Sequence, residues 1–316
     1  MKTRRVLCGL AGLIAAVGLA GVAPAAEFPT KPVTLIIGFQ AGGGTDVMAR
    51  ALAEPMAKLL GQPVLVQNKP GAGGGVAALF VAGAEPDGHT VVVTTSTTYT
   101  LEPQLQKVAY KNEDFLHVAN VGQFQEAIFS KAGSPYKSLK EMVAFAKKEG
   151  RPLKYASFYQ LDKMFTAYIA AKEGVQVIPV PVKGGAGVMP AVLGGHVDFG
   201  WSGGSFAPHV RAGTIDLLGV MTYERQAAFP EAPGMKDFGY DVGTEVFITV
   251  STAAKVPKAA AEKLAAAMKA SQSNKIFVDA MNARNQLILF NGPSEMPALM
   301  KKQTEMYAKL VAQMKK

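Results

Sequence analysis

The chain has 316 residues, a formal net charge of +9 and a single cysteine, Cys8. Its basic residues are scattered singly and in pairs such as Lys147-Lys148 and Lys301-Lys302. With no basic patch or motif, that excludes a nucleic-acid reader. The lone cysteine excludes an internal disulfide framework.

The N-terminus sets the expected compartment. Lys2, Arg4 and Arg5 precede an apolar run over 6–23, which ends in the small residues Ala23-Pro24-Ala25-Ala26. This is the layout of an export signal cleaved near Ala25 or Ala26, so 1–26 are expected to be a signal peptide and the mature protein to be periplasmic. Cleavage removes Cys8 and leaves 30 basic against 24 acidic side chains, a net +6. The roughly 290 residues that remain suit two domains of ordinary size. No later stretch is apolar enough over sufficient length to span a bilayer.

Strand and helix signals then alternate. Residues 33–39 (VTLIIGF) form an apolar run of strand length, followed by a glycine loop. A helical pattern through Leu60 follows, with Val47, Ala51, Leu52, Met56 and Leu59 at three- to four-residue spacing. Pro55 is expected to kink or divide that helix. Gly61-Gln62-Pro63 ends it, 64–67 reads as a second strand, and 90–95 (TVVVTT) as a third, rich in β-branched residues. Further on, Ser138 and Glu141 form a capping box for a helix over 138–148. Strands are expected at 153–157, 176–182, 197–201 and 217–221, and proline-led helices at 257–270 and 293–315. Such alternation implies mainly parallel sheets with helices on both faces. No long hydrophilic linker is present, so two lobes would be joined by short crossing strands, for which 125–131 and 217–222 are the candidates.

The loop Phe39-Gln40-Ala41-Gly42-Gly43-Gly44-Thr45-Asp46 carries the clearest chemical signal. Three glycines let the backbone approach a ligand, and free N–H groups with the helix dipole suit an anion. A Walker loop needs Lys-Ser/Thr where Thr45-Asp46 stands, and neither this loop nor Gly71-Ala72-Gly73-Gly74-Gly75 is a dinucleotide fingerprint. A single carboxylate fits better than a polyphosphate; a tight turn with no ligand is the rival. His89, His117, His196 and His209 show no metal-ligand spacing. Gly203-Gly204-Ser205-Phe206-Ala207 lacks the last glycine of a nucleophile elbow, so a hydrolase is disfavoured. The expectation is a binder, with no cofactor and no catalysis.

A set of motifs then appears in order across nearly the whole mature chain. They are Phe28-Pro29-Thr30-Lys31-Pro32-Val33, Gly42-Gly43-Gly44-Thr45-Asp46, Gly61-Gln62-Pro63-Val64 and Asn68-Lys69-Pro70-Gly71-Ala72-Gly73-Gly74. Pro86-Asp87-Gly88, Tyr155-Ala156-Ser157, Lys183-Gly184-Gly185 and Gly194-Gly195-His196-Val197-Asp198 complete it. The chain resembles the Bug-type (Bordetella uptake gene), TctC-like receptors of tripartite tricarboxylate transporters. That resemblance implies an α/β type II periplasmic-binding-protein fold, two α/β lobes with a ligand cleft between them. One lobe would comprise 27–130 with 224–316, which also carries the C-terminal helices, and the other 131–223. It implies a monomeric receptor that delivers a small organic carboxylate to membrane permease subunits; a sensor kinase reading the same cleft is the alternative. Carried over by position, the ligand contacts would be Phe39 to Asp46, Ser96, Thr97, Thr98 and Tyr99 in the first lobe. Those of the second would be Ser157, Phe158, Tyr159, Gln160, Leu161, Lys183, Gly184, Gly185, Trp201 and Ser202.

Two departures from the family pattern bear on the ligand. Where the family has small residues after Tyr-Ala-Ser, this chain has Phe158-Tyr159-Gln160-Leu161-Asp162-Lys163. Asp162 is placed to cap the helix itself or to pair with an amine, and the rings offer a stacking surface. Trp201-Ser202-Gly203-Gly204 lacks the acidic or Asn side chain often found there. The expected solute therefore has a carboxylate at the first loop and an aromatic or bulky apolar body toward the second lobe.

Overall fold

The computed structural model describes residues 27–314; the expected signal peptide lies outside them. Four strands come first: β1 (Val33–Ile37), β2 (Val64–Asn68), β3 (Thr90–Thr95) and β4 (Phe115–Phe124). Five follow in a second body, β5 (Ala127–Lys131), β6 (Leu153–Ser157), β7 (Val177–Pro181), β8 (Phe199–Ser202) and β9 (Ile215–Val220), and β10 (Val246–Ala253) comes last. The helices are α1 (Gly44–Leu60), α2 (Gly75–Ala82), α3 (Thr97–Thr100), α4 (Glu102–Leu105), α5 (Leu139–Glu149) and α6 (Gln160–Glu173). They continue as α7 (Val188–Leu193), α8 (Ala207–Arg211), α9 (Lys258–Ser271), α10 (Lys275–Ala283) and α11 (Met296–Met314).

The strands form two five-stranded sheets, ordered β2-β1-β3-β10-β4 and β7-β6-β8-β5-β9. Helices cover both faces of each: Leu35 and Ile37 of β1 pack with α1 while Ile36 packs with α2, and Ile128 of β5 packs with α5 while Phe129 packs with α7. β1 runs parallel to β2 and β3, and β6 parallel to β7 and β8. β10 is antiparallel to β3 and β4, and β5 to β8 and β9, so both sheets are mixed rather than mainly parallel. The cause is the crossing: each sheet receives a strand arriving from the other lobe, and that strand enters reversed. β1 is buried on both faces, as a central strand of apolar β-branched residues should be, while edge strand β2 alternates half-buried with exposed positions.

β5 pairs wholly within the second sheet, so the chain leaves the first lobe at Gln125-Glu126, ahead of the expected boundary at 130/131. The return comes later than residue 224. The stretch before β10 packs on the second lobe: Phe229 lies 5.5 Å from Phe206, Val220 N–H donates to the Pro233 carbonyl at 2.9 Å, and Tyr240 OH donates to Glu173 at 2.8 Å. α1 continues through Pro55 without the expected break. Met48, Leu52 and Met56 are at most 1% exposed on either side of it, and that packing outweighs one lost N–H. The capping box of α5 forms with a variation: Ser138 Oγ accepts from Glu141 N–H at 3.2 Å, but Glu141 reaches back to Lys137 N–H at 2.8 Å. No helix of the described residues is long and apolar enough to cross a membrane.

Candidate functional site

The two sheets direct their β1–α1 and β6–α6 junctions at one another. Between them lies a cavity of about 60 Å³, bounded also by Phe124 and Glu126 at the first crossing, by Ser202, Gly203 and Ser205 after β8, and by Arg284 after α10. It has room for a few waters or a short-chain acid. The lobes touch around it. Gln286 Nε2 donates to the Gly203 carbonyl at 3.3 Å, and a Cβ on Gly184 would stand 3.0 Å from Gln40 Cγ.

In the first lobe, Phe39, Gln40, Gly42, Gly43, Gly44 and Thr45 line the cavity; Ala41 and Asp46 do not. Gly42 sits at φ +79°, where a side chain is strained. At Gly44 the limit is space, since a Cβ would meet Phe124 Cε1 at 2.6 Å. Asp46 is 2% exposed and turned inward, accepting from Gly42 N–H (2.9 Å), Asn68 Nδ2 (2.8 Å) and Arg50 Nε (3.0 Å). Desolvation works against its charge, but the bonds from Arg50, Gly42 and Asn68 outweigh it and hold the carboxyl below the usual range. That inward turn clears the N-terminus of α1. No side chain caps the helix, so the N–H groups of Gly44 and Thr45, two residues that line the cavity, have no intrahelical acceptor. Arg284 joins them. Its Nη2 donates to the Gly42 carbonyl at 3.3 Å, and no carboxylate among the described residues pairs with it. Burial lowers its pKa from the ordinary value, partly offset by the charge of Asp46; an arginine remains cationic at neutral pH regardless. Helix terminus and guanidinium together make a seat for one anionic group.

The second lobe is built with the opposite sign. Asp162, fully buried, accepts from Phe158 N–H (2.8 Å), Tyr159 N–H (3.1 Å), Ser157 Oγ (2.7 Å) and Tyr155 OH (3.2 Å). Burial raises it to about 6 against those bonds. The Phe158 and Tyr159 N–H groups just ahead of α6 are therefore taken by the protein's own carboxylate. Phe158 and Tyr159 line the cavity, their rings stacked at 4.3 Å; Ser157, Gln160 and Leu161 do not. Of the other expected residues, Gly185 and Ser202 line it, while Lys183, Gly184 and Trp201 stand back. Ser96, Thr97, Thr98 and Tyr99 are buried behind the wall, and Thr95 takes the lining position. Ser96 Oγ accepts from Phe247 N–H at 3.1 Å, Thr97 meets Thr95 at 2.7 Å, and Thr98 donates to the Gly73 carbonyl at 2.7 Å. Those hydroxyls serve the sheet.

Sequence reasoning passed over Thr95, Phe124, Glu126, Gly203, Ser205, Val246 and Arg284 in this lining. Glu126 sits in the expected crossing 125–131, and a charged residue placed there was a legible signal; Phe124 lies one residue ahead of it, at the end of β4. Arg284 follows α10 in an unremarkable stretch, and nothing local marks it. Glu126 is 2% exposed; its Oε1 accepts from Tyr159 OH and from Trp201 Nε1 (3.1 Å). Burial pushes its carboxyl up to about 7, against those two bonds.

Two α/β lobes exchanging strands around a cavity at their junction have the architecture of a two-lobed solute-binding protein. The match that narrows this is to the tripartite tricarboxylate transporter family receptor (TctC) model, over residues 48–313. A UPF0065 protein in the gbd 5′ region of Cupriavidus necator is 36% identical over 240 residues, 74% of this chain and 73% of that protein. The periplasmic binding protein BugD superposes with a TM-score of 0.84 at 26% identity, covering 91% of this chain and 98% of BugD. MatC from Rhodopseudomonas palustris with bound malate superposes with a TM-score of 0.81 at 25% identity, covering 90% and 100%. The chain belongs to the TctC receptor family of solute-binding proteins, which are receptors and not enzymes.

Proposed function

We propose that the mature protein works in the periplasm as the receptor of a tripartite tricarboxylate-type transporter, capturing one small carboxylate-bearing solute and presenting it to membrane permease subunits. The observation that carries this reading is the uncapped start of α1 beside the unpaired Arg284. Malate in MatC supports a carboxylate as the solute class. The solute carboxylate would accept from Gly44 N–H, Thr45 N–H and Arg284, with its body against Phe39, Phe124 and Phe158. A cavity of about 60 Å³ favours a short chain; the ring expected from Phe158 and Tyr159 would need the lobes to part. Capture by fixed donors leaves the solute unchanged, and closure over it is what a partner can read.

Isothermal titration with short mono-, di- and tricarboxylates, benzoate-type acids and amino acids tests this. Binding of at least one short carboxylate is expected. Failure of all of them, or a marked preference for uncharged solutes, would overturn the reading.

A further inference from the structure

The anion seat accounts for one part of the lining; another part is a buried acid that no cation among the described residues neutralises. Glu126 lines the cavity where the chain crosses between lobes, and only its Oε1 is engaged, by Tyr159 OH and Trp201 Nε1. Its Oε2 is buried without a partner. The nearby Thr244 hydroxyl does not serve it, since that group donates to the Met221 carbonyl at 3.2 Å. The titratable groups packed around Glu126 are Tyr159 and Asp162 from the start of α6 and Tyr307 from α11, all neutral or acidic. Among the described residues no cation pairs with Glu126, and Arg284 is turned to Gly42.

A buried carboxylate without a counter-ion is costly. The cost disappears if the counter-ion arrives with the solute. Phe124, Phe158 and Tyr159 line the same space, and aromatic walls favour a cation. Resting on the carboxylate reading above, we propose that Glu126 Oε2 takes an ammonium group of the solute, so that the solute class is small amino carboxylates held by their two ends. The step is proton exchange only: Glu126 gives up its proton to solvent as the ammonium docks, and no covalent bond changes. Because burial holds the free acid near pH 7, affinity for an amino carboxylate should be about tenfold lower at pH 6 than at pH 8.

The test is calorimetry on the full mature chain, with β-alanine and 4-aminobutyrate against propionate and butyrate. Titrations at pH 6, 7 and 8 in two buffers of different ionisation enthalpy read the protons released. The amino acids are expected to bind at least about tenfold tighter than their amine-free counterparts and to release a fraction of a proton at pH 7. Glu126→Gln should collapse that preference ratio toward one and flatten the pH dependence. Proton release is read on the unaltered protein, so it stands even if the variant folds poorly. Equal or tighter binding of propionate and butyrate without proton release overturns the role of Glu126 and leaves the carboxylate seat standing. Proton uptake with a preference for dicarboxylates also overturns it, because Glu126 would then be the donor. If no acid of either kind binds, the carboxylate reading falls first.

Discussion

Arg284→Met removes the one cation of the proposed seat while keeping an unbranched side chain of similar reach. The free protein should tolerate it. The guanidinium makes a single long bond, 3.3 Å to the Gly42 carbonyl, and the nearby Asp46 is already held by Arg50 and Asn68. A stability loss under about 1 kcal/mol follows. Binding should respond far more. Two unit charges 4 Å apart at an effective dielectric of 20 attract by about 4 kcal/mol, and the half-exposed position of Arg284 trims that. A charge-assisted hydrogen bond of about 1.5–3 kcal/mol is the working figure, so Kd for a short carboxylate should rise by roughly 10- to 150-fold. Calorimetry on the wild type and the variant, with a denaturant melt of each, separates the two effects. Arg284→Lys should fall between them. A Kd within about threefold of the wild type would refute the reasoning and leave the α1 backbone as the whole seat.

Other changes test the rest of the cavity. In Gly44→Ala the new Cβ stands 2.6 Å from Phe124 Cε1 and 2.9 Å from Gln286 Nε2. The Phe124 ring must move into the solute space, and carboxylate affinity should drop by about tenfold or more with helix content by circular dichroism unchanged. Asp162→Ala strips the cap of α6 and should cost about 1–3 kcal/mol in a urea melt at pH 7. It also frees the Phe158 and Tyr159 N–H groups, so dicarboxylates should gain affinity relative to monocarboxylates. Stability should depend on pH through Glu126, whose carboxyl rises from 4.5 to about 7 on folding. Between those values the native state binds more protons than the unfolded one, so this group's contribution falls as pH rises through that window. The stability advantage of Glu126→Gln over wild type should therefore grow from pH 5 to pH 8 by up to about 3 kcal/mol, and a constant gap in melts at the two pH values would contradict it. His117, buried and held down to about 4, acts at the other end: its contribution is lost as pH falls from 6.5 toward 4.

Local signals were legible where local chemistry decides structure. β3 occupies 90–95 as its β-branched run indicates, α1 opens at the glycine loop, and Asp162 caps α6 as its position permits. β4 and β10 went unread as strands although VFITVSTA is strongly β-branched. Their pairing spans more than a hundred residues, and nothing near either segment announces a partner. The crossing at Gln125-Glu126 lies ahead of 130/131 for the same reason: which sheet owns β5 is decided by its antiparallel partners β8 and β9, not by its own residues. In the cavity, the glycine loop showed itself because an anion seat needs backbone freedom and a helix start together. Arg284 did not, because its place is set by how α10 packs back toward Gly42, 242 residues away in sequence.

A crystal structure of the mature protein with a bound short carboxylate will show whether the solute sits at the start of α1 beside Arg284. Carboxylate oxygens are expected within hydrogen-bond distance of Gly44 N–H, Thr45 N–H and the Arg284 guanidinium, between closed lobes. A carboxylate resting on α6, or in the groove lined by Gln123, Glu245 and Lys302, would contradict it.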